Sequence, residues 1–191
     1  MKTFTAGSSL SSDPTLPPDL SMDAVTLRVG ELEVMTTYYS DSLGLSPLEE
    51  RSSRREVSRV LGRGGISLVK LVHTPDLPGV DPRAAGLFHT AFLFEPPEAL
   101  AAAVYRTART VGARFAGSSD HLVSEAFYFA DPEGNGIELY VDRPREQWRR
   151  QNGELQMDTL FLDPNAFLQE HLNEGSVRTL ETDPASVGHV H

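Results

Sequence analysis

The chain has 191 residues, a formal net charge of −10 and no cysteine. Its 17 Lys and Arg against 27 Asp and Glu exclude the basic face by which proteins bind nucleic acid. Disulfides are excluded too, so a bound metal ion would need His, Asp or Glu ligands. No apolar run is long enough to span a bilayer, and no apolar signal stretch stands near the start. These features predict a cytoplasmic protein with a small-molecule partner.

Regular patterning begins only after the first part of the sequence. Residues 1–22 are rich in Ser, Thr and Pro and predict a flexible tail, because they cannot bury enough apolar surface to order themselves. A first repeat, 23–73, has a strand in AVTLRV, a helix that ends at Gly44, and strands near 57–61 and 66–72. The buried face of the helix is predicted to consist of Leu32, Met35, Tyr39 and Leu43.

The same order of elements recurs in residues 87–142. A strand in FHTAFLF and a helix in PPEALAAAVYRTARTVG precede three strands, ARFAG, LVSEAFYFA and GIELYVD, of which the last two are joined by a DPEGNG turn. This repetition predicts an α+β fold of two tandem βαβββ modules that form an open, curled mixed sheet. The inward face of the second helix is predicted to be Leu100, Val104, Ala108 and Val111, with the helix ending at Gly112.

Residues 143–186 depart from the repeat and are interpreted as a C-terminal extension or linker. One short helix is predicted in LDPNAFLQEHL, and VRTLETDPAS has the composition of a linker. The final residues, 187–191, read VGHVH and return to a strand-like pattern. We interpret them as the start of a third module.

The two repeats differ at the positions that carry chemistry. Their alignment places Ala24 opposite His89 and Ser67 opposite Glu138. If the second sheet curls, its first and last strands bring the imidazole and the carboxylate onto one concave face, where they suit a divalent ion such as iron or manganese. Separately, each has a simpler interpretation, as a hydrogen-bonded histidine at a core rim and a glutamate that faces solvent. Their joint occurrence favours the metal site.

The segment 120–138, DHLVSEAFYFADPEGNGIE, resembles the signature of extradiol ring-cleavage dioxygenases, which belong to the vicinal oxygen chelate superfamily. It departs from that signature at Ser119, where the family prefers Gly, Asn, Thr, Ile or Val. The wider stretch 23–160 is similar to the N-terminal half of two-part bacterial catechol 2,3-dioxygenases. The matching signature positions are His121, Phe127-Tyr128, Asp131-Pro132, Gly134 and Glu138.

This resemblance implies a meta-cleaving enzyme that opens a catechol-type aromatic diol with O2 at a non-haem metal. Fe(II) is the implied metal, with Mn(II) as the alternative, and His89 and Glu138 are two of the implied ligands. His121 is implied as the acid–base residue that handles a hydroxyl proton, and Tyr128 as the donor of a hydrogen bond to an oxygen on the metal. Without the motif, Tyr128 would be interpreted as a core aromatic.

The third metal ligand is predicted at the end of the sequence. Many family members have it at the start of a first strand, where this chain has Ala24, but His189 in VGHVH occupies the position that His89 has in its own repeat. We therefore predict ligation by His89, Glu138 and His189, and we expect His189 to be poorly placed because the rest of its strand is missing. The same reasoning predicts a truncated, impaired chain whose uncovered apolar surface favours a homodimer, a larger homo-oligomer or a poorly behaved monomer.

Two other functions stay open at this point. A glyoxalase-like lyase or isomerase would also use one metal ion per paired module, although the motif around His121 and Tyr128 argues against it. A metal-free small-molecule binding protein of the same fold is favoured by the absence of ligand residues at Ala24 and Ser67.

Overall fold

The computed structural model describes residues 21–79, 81, 83 and 85–191. Most of the predicted flexible tail, 1–20, lies outside the described residues. The elements of the first module are β1 (Val25–Val29), α1 (Leu32–Leu43), β2 (Ser46–Ser52), β3 (Val57–Arg63) and β4 (Ile66–His73). Strand β4 pairs with β1 in parallel, which gives the sheet order β1-β4-β3-β2.

The second module repeats this topology. Its elements are β5 (His89–Phe94), α2 (Pro97–Arg109), β6 (Arg114–Asp120), β7 (Ser124–Ala130) and β8 (Gly136–Asp142). Its last strand pairs in parallel with its first, and the order β5-β8-β7-β6 matches that of the first sheet. The predicted α+β fold of βαβββ repeats with open mixed sheets is therefore confirmed, although the two modules form separate hydrogen-bonded sheets.

The C-terminal segment adds strands to both edges of the second sheet. Its elements are β9 (Arg150–Gln151), β10 (Glu154–Leu155), β11 (Leu160–Phe161), α3 (Pro164–His171), α4 (Glu174–Thr179) and β12 (Ala185–Val190). The resulting six-stranded order is β11-β6-β7-β8-β5-β12, while β9 and β10 form a small ribbon. The segment predicted as linker instead contains α4, whose N-terminus is capped by the Asn173 side chain, and it buries Leu180 completely.

Helix α1 has the predicted buried face and the predicted end. Met35, Tyr39 and Leu43 are buried, and Gly44 ends the helix in the left-handed conformation, at φ 66°. The segment that leads into α1 is held by the other module, because the Glu133 carboxylate accepts hydrogen bonds from the backbone N–H groups of residues 30 and 31, just before the helix begins. The turn between β7 and β8 is thus fixed to the first module.

Helix α2 ends earlier than predicted. Leu100 and Val104 are buried as expected, and Ala108 is exposed. The helix ends at Arg109, which leaves Val111 beyond it and 93% exposed. The inward position in the last turn is Thr107, whose hydroxyl donates to the Ser42 carbonyl of α1. The contact with α1 therefore places Thr107, and not Ala108, on the buried face of α2.

The faces of the second sheet divide the core from the site. Phe92 and Leu139 are directly paired and belong to the main core, together with residues of both helices. The opposite, concave face carries Ala91 and Tyr128, each paired with Glu138, in one row across three strands. Within the described residues, no helix combines the length and apolarity needed to cross a bilayer.

Candidate metal centre

Three predicted ligands meet on the concave face. His89 Nε2 lies 2.8 Å from Glu138 Oε2, and His189 Nε2 lies 3.2 Å from the same oxygen. The two imidazole nitrogens are 3.3 Å apart. These three residues form the group of potential metal ligands found in the described part of the chain.

The spacing of the three ligand atoms fits one divalent ion. With metal–ligand bonds of about 2.1 Å, adjacent ligand atoms at right angles lie about 3.0 Å apart. The separations of 2.8, 3.2 and 3.3 Å are all close to this value. Two imidazoles and one carboxylate on one face of an ion leave its other face open for additional ligands, as in the facial triad of non-haem iron proteins.

Burial sets the protonation of the ligand set. The His89 side chain is 8% exposed and that of Glu138 5% exposed. Burial, followed by the proximity of His189 and His191, lowers the pKa of His89 to about 4, so its imidazole is neutral and has a lone pair to donate at neutral pH. Burial raises the pKa of Glu138, against the opposing effects of His189, His121 and Tyr128.

The His189 side chain is more open, at 47% exposed. Its backbone is nonetheless fixed, since β12 pairs antiparallel with β5 and places His189 beside Ala91. The expectation that His189 would be poorly placed does not hold, because the missing neighbour is supplied by the strand that carries His89. The exposed side of this imidazole gives the site its opening.

His121 and Tyr128 lie beside the three predicted ligands. His121 Nε2 is 2.9 Å from the Tyr128 hydroxyl, which is 3.4 Å from Glu138 Oε1. His121 Nδ1 is 2.9 Å from the Asp158 carbonyl oxygen. A carbonyl only accepts, so the neutral imidazole has its proton on Nδ1 and its lone pair on Nε2, facing the Tyr128 hydroxyl.

The Asp158 carbonyl is a feature that the sequence reasoning missed. It orients His121 through a backbone atom, which no residue-type pattern reveals, although residue 158 lies within the stretch 23–160 that carries the family resemblance. Burial, with the nearby Glu138 charge, raises the pKa of Tyr128 to about 12, so the phenol keeps its proton. Tyr128 is therefore a hydrogen-bond donor in this site.

The first module has no residues that match the predicted ligands. Its strand pairing also changes one of the two residue pairs given by the sequence alignment of the repeats. Thr26 and Ala91 stand three residues before the ends of β1 and β5, and they pair with Lys70 and Glu138 respectively. Lys70, rather than Ser67, is thus the structural counterpart of Glu138. The Lys70 ammonium donates to Glu56 at 3.0 Å and cannot bind a cation.

A family model of the Glyoxalase/Bleomycin resistance protein/Dioxygenase superfamily matches residues 21–139, which span the first module and the second as far as the middle of β8. The chain belongs to this superfamily. The catechol-2,3-dioxygenase of Bacillus subtilis (strain 168) is 32% identical over 176 residues, which are 91% of this chain and 59% of that protein. The chain thus spans less than two thirds of the length of this superfamily member.

Two solved structures share the fold. A glyoxylase/bleomycin resistance protein/dioxygenase domain from Frankia sp. EAN1pec has a TM-score of 0.55 at 23% identity, over 65% of this chain and 98% of that one. The fosfomycin resistance protein FosX from Listeria monocytogenes, solved with Mn(II) and a sulfate ion, has a TM-score of 0.50 at 15% identity, over 66% and 96%. At these identities the likeness shows the fold alone.

Proposed function

We propose that this chain carries the metal centre of an extradiol dioxygenase, which opens a catechol-type ring next to its two hydroxyl groups. The observation that supports this most directly is the His89, Glu138 and His189 cluster with the His121–Tyr128 pair beside it. The 32% identity with a catechol-2,3-dioxygenase favours the same reaction. Both atoms of O2 enter the product as one ring carbon–carbon bond breaks.

The proposed ligands are His89, Glu138 and His189, and the proposed ion is Fe(II). Bound Fe(II) supplies the Lewis-acid and redox chemistry that allows a catecholate to react with O2. Neutral His89 needs to lose no proton at neutral pH to provide its ligand atom, and the Glu138 carboxyl group supplies the oxygen that lies between the two imidazoles. Their burial excludes water on one side, while the open side at His189 admits the diol.

His121 is the proposed acid–base residue. The Asp158 carbonyl holds the proton on Nδ1, so the Nε2 lone pair, which faces the Tyr128 hydroxyl, can take a proton from a diol hydroxyl beside that pair. Tyr128 keeps its own proton and can donate a hydrogen bond to a substrate oxygen near Glu138. The pair thus places one proton acceptor and one hydrogen-bond donor on the same side of the diol.

The proposal is tested with protein loaded anaerobically with Fe(II), then mixed with catechol in an oxygen electrode. We expect O2 uptake matched by a yellow ring-opened product, and loss of both in Glu138→Gln with weakened Fe(II) binding. Glu49→Gln, at the exposed strand β2 of the other sheet, is the control that should change neither. Tight Fe(II) binding without any O2 uptake would favour a lyase or isomerase instead.

Metal analysis tests the remaining alternative. A metal-free binding protein would take up neither Fe(II) nor Mn(II), and its His89→Ala variant would behave as the parent does. The proposed centre predicts instead that one equivalent of metal binds and that His89→Ala removes it. Mn(II) bound in place of Fe(II), with O2 uptake retained, would change the metal assignment and keep the reaction.

A further inference from the structure

We propose that Gly188 is a positioning residue for the metal centre, because a β-bulge at this glycine turns His189 away from the core and toward Glu138. The inference rests on the proposed metal centre but not on ring cleavage. It assigns a role to a residue without a side chain, which acts through the direction of its neighbour.

The register of β12 against β5 changes at Gly188. Val187 pairs with Phe92, and His189 pairs with Ala91, so Gly188 is an extra residue without a partner of its own. Paired residues of antiparallel strands project to the same face of a sheet. Val187 therefore lies on the core face with Phe92, and it is 3% exposed.

His189 follows Val187 by two residues, and a regular strand would project both side chains to the same face. In that register His189 would stand opposite Thr90, which pairs with the core residue Ile137. The extra residue shifts His189 onto Ala91, whose other neighbour is Glu138. A one-residue slip moves a side chain to the other face of the sheet, and here it moves an imidazole from the core to the metal ligands.

Tyr140 explains why the bulge residue is a glycine. A Cβ atom added at Gly188 would lie 1.9 Å from the Tyr140 hydroxyl oxygen and 2.7 Å from the ring carbon that bears it. Tyr140 lies two residues after Glu138 on the same concave face, and its ring centroid is 5.5 Å from that of His189. The ring thus fills the space next to the bulge and contacts the ligand.

The backbone of Gly188 lies outside the left-handed region, so the contact with Tyr140, and not φ, is what disfavours alanine there. This separates the role of Gly188 from an ordinary requirement for backbone freedom. It also predicts that removal of the Tyr140 ring makes room for a methyl group at position 188.

The effect is measured without reference to activity as Mn(II) binding by the full chain. The electron paramagnetic resonance signal of the free ion monitors this binding. We expect Gly188→Ala to weaken Mn(II) binding by about 10- to 100-fold, as for other residues that orient a ligand. Gly86→Ala is the matched control, since a Cβ there meets no atom of the described residues within 4 Å, and it should bind as the parent does. Circular dichroism verifies that each variant is folded.

Two double variants distinguish positioning from general destabilisation. Gly188→Ala combined with His189→Ala should bind Mn(II) no more weakly than His189→Ala alone, because Gly188 acts through that imidazole. Gly188→Ala combined with Tyr140→Ala should regain most of the lost affinity, and it should fold even if Gly188→Ala alone does not.

The outcomes separate the inference from the metal centre on which it rests. If His189→Ala weakens Mn(II) binding while folded Gly188→Ala does not, the positioning role is wrong and the centre stands. If the Tyr140→Ala double variant folds but regains no affinity, the positioning role is also wrong. If His189→Ala itself binds Mn(II) as the parent does, the metal centre and the inference fail together.

Discussion

The hydroxyl of Tyr39 donates a hydrogen bond of 3.1 Å to Asp131 Oδ2, and both residues are buried. Tyr39 lies on α1 of the module without ligands. Asp131 begins the turn between the strands that carry Tyr128 and Glu138, and it also accepts backbone N–H bonds from residues 133 and 135. Burial raises the pKa of Asp131 against the effect of these donors. The first module thus stabilises the base of the hairpin that carries the site.

This contact predicts different effects for two adjacent tyrosines. Tyr39→Phe removes a donor to a buried carboxylate and should lower the free energy of unfolding by about 1–3 kcal/mol. Tyr38→Phe is the matched control, because the Tyr38 hydroxyl is buried without a hydrogen-bond partner among the described residues. Its loss should be neutral or stabilising. Urea denaturation measures both, and equal losses would contradict the assigned role of the Tyr39 contact.

Gly136 is predicted to be essential for the approach of β8 to β5. A Cβ atom there would lie 2.1 Å from the Phe88 carbonyl oxygen and 3.0 Å from His89 Cβ. Gly136→Ala should therefore push the strands apart beside His89, with a loss of about 1–3 kcal/mol of stability and weaker metal binding. Gly86→Ala should leave thermal stability and Mn(II) affinity unchanged. Parent-like Mn(II) affinity in Gly136→Ala would show that the strand tolerates the shift.

Tyr128→Phe should separate catalysis from metal binding. Removal of its hydroxyl takes away a hydrogen-bond donor to the substrate but no ligand atom, so we expect kcat to fall about 10²-fold and Fe(II) affinity to change less than about threefold. Tyr105→Phe, on α2, should leave both values unchanged. A loss of Fe(II) affinity as large as the loss of kcat would mean that Tyr128 acts by holding Glu138.

The Asp120–Arg143 pair predicts a pH dependence of stability. Arg143 donates to both Asp120 oxygens, at 2.6 and 3.0 Å, and lowers the pKa of Asp120 below 3.8. A carboxyl whose pKa is lower in the folded state stabilises the protein above the unfolded value, and that stability is lost as the pH falls through the folded pKa. Asp120→Asn should therefore lower the Tm at neutral pH and flatten its decline below about pH 4.

Thermal melts from neutral to acid pH test this prediction. Asp41→Asn, on the exposed side of α1, is the control and should follow the parent curve. The Asp120→Asn curve should approach the parent curve as the pH falls. A constant offset between the two curves down to acid pH would show that Asp120 does not contribute through its charge.

Much of the local structure could be read from periodicity and turn chemistry. The face of Met35, Tyr39 and Leu43 and the stop at Gly44 follow from helical spacing and the left-handed preference of glycine. The inward residue of the last turn of α2 could not be read in this way, because Thr107 is turned inward by contact with Ser42 of α1. The roles proposed for the site residues are predictions, which the experiments described above test.

The sequence by itself determined the repeat, its order of elements and which repeat holds His89 and Glu138, because hydrophobic period and residue type are properties of the chain. Only the tertiary structure decided that Lys70 matches Glu138, that Asp158 orients His121, and that a bulge turns His189 toward His89 and Glu138. Those features depend on strand register and on backbone atoms. A shift of one residue in strand register turns a side chain to the opposite face of the sheet, although the amino-acid sequence and its hydrophobic pattern stay the same.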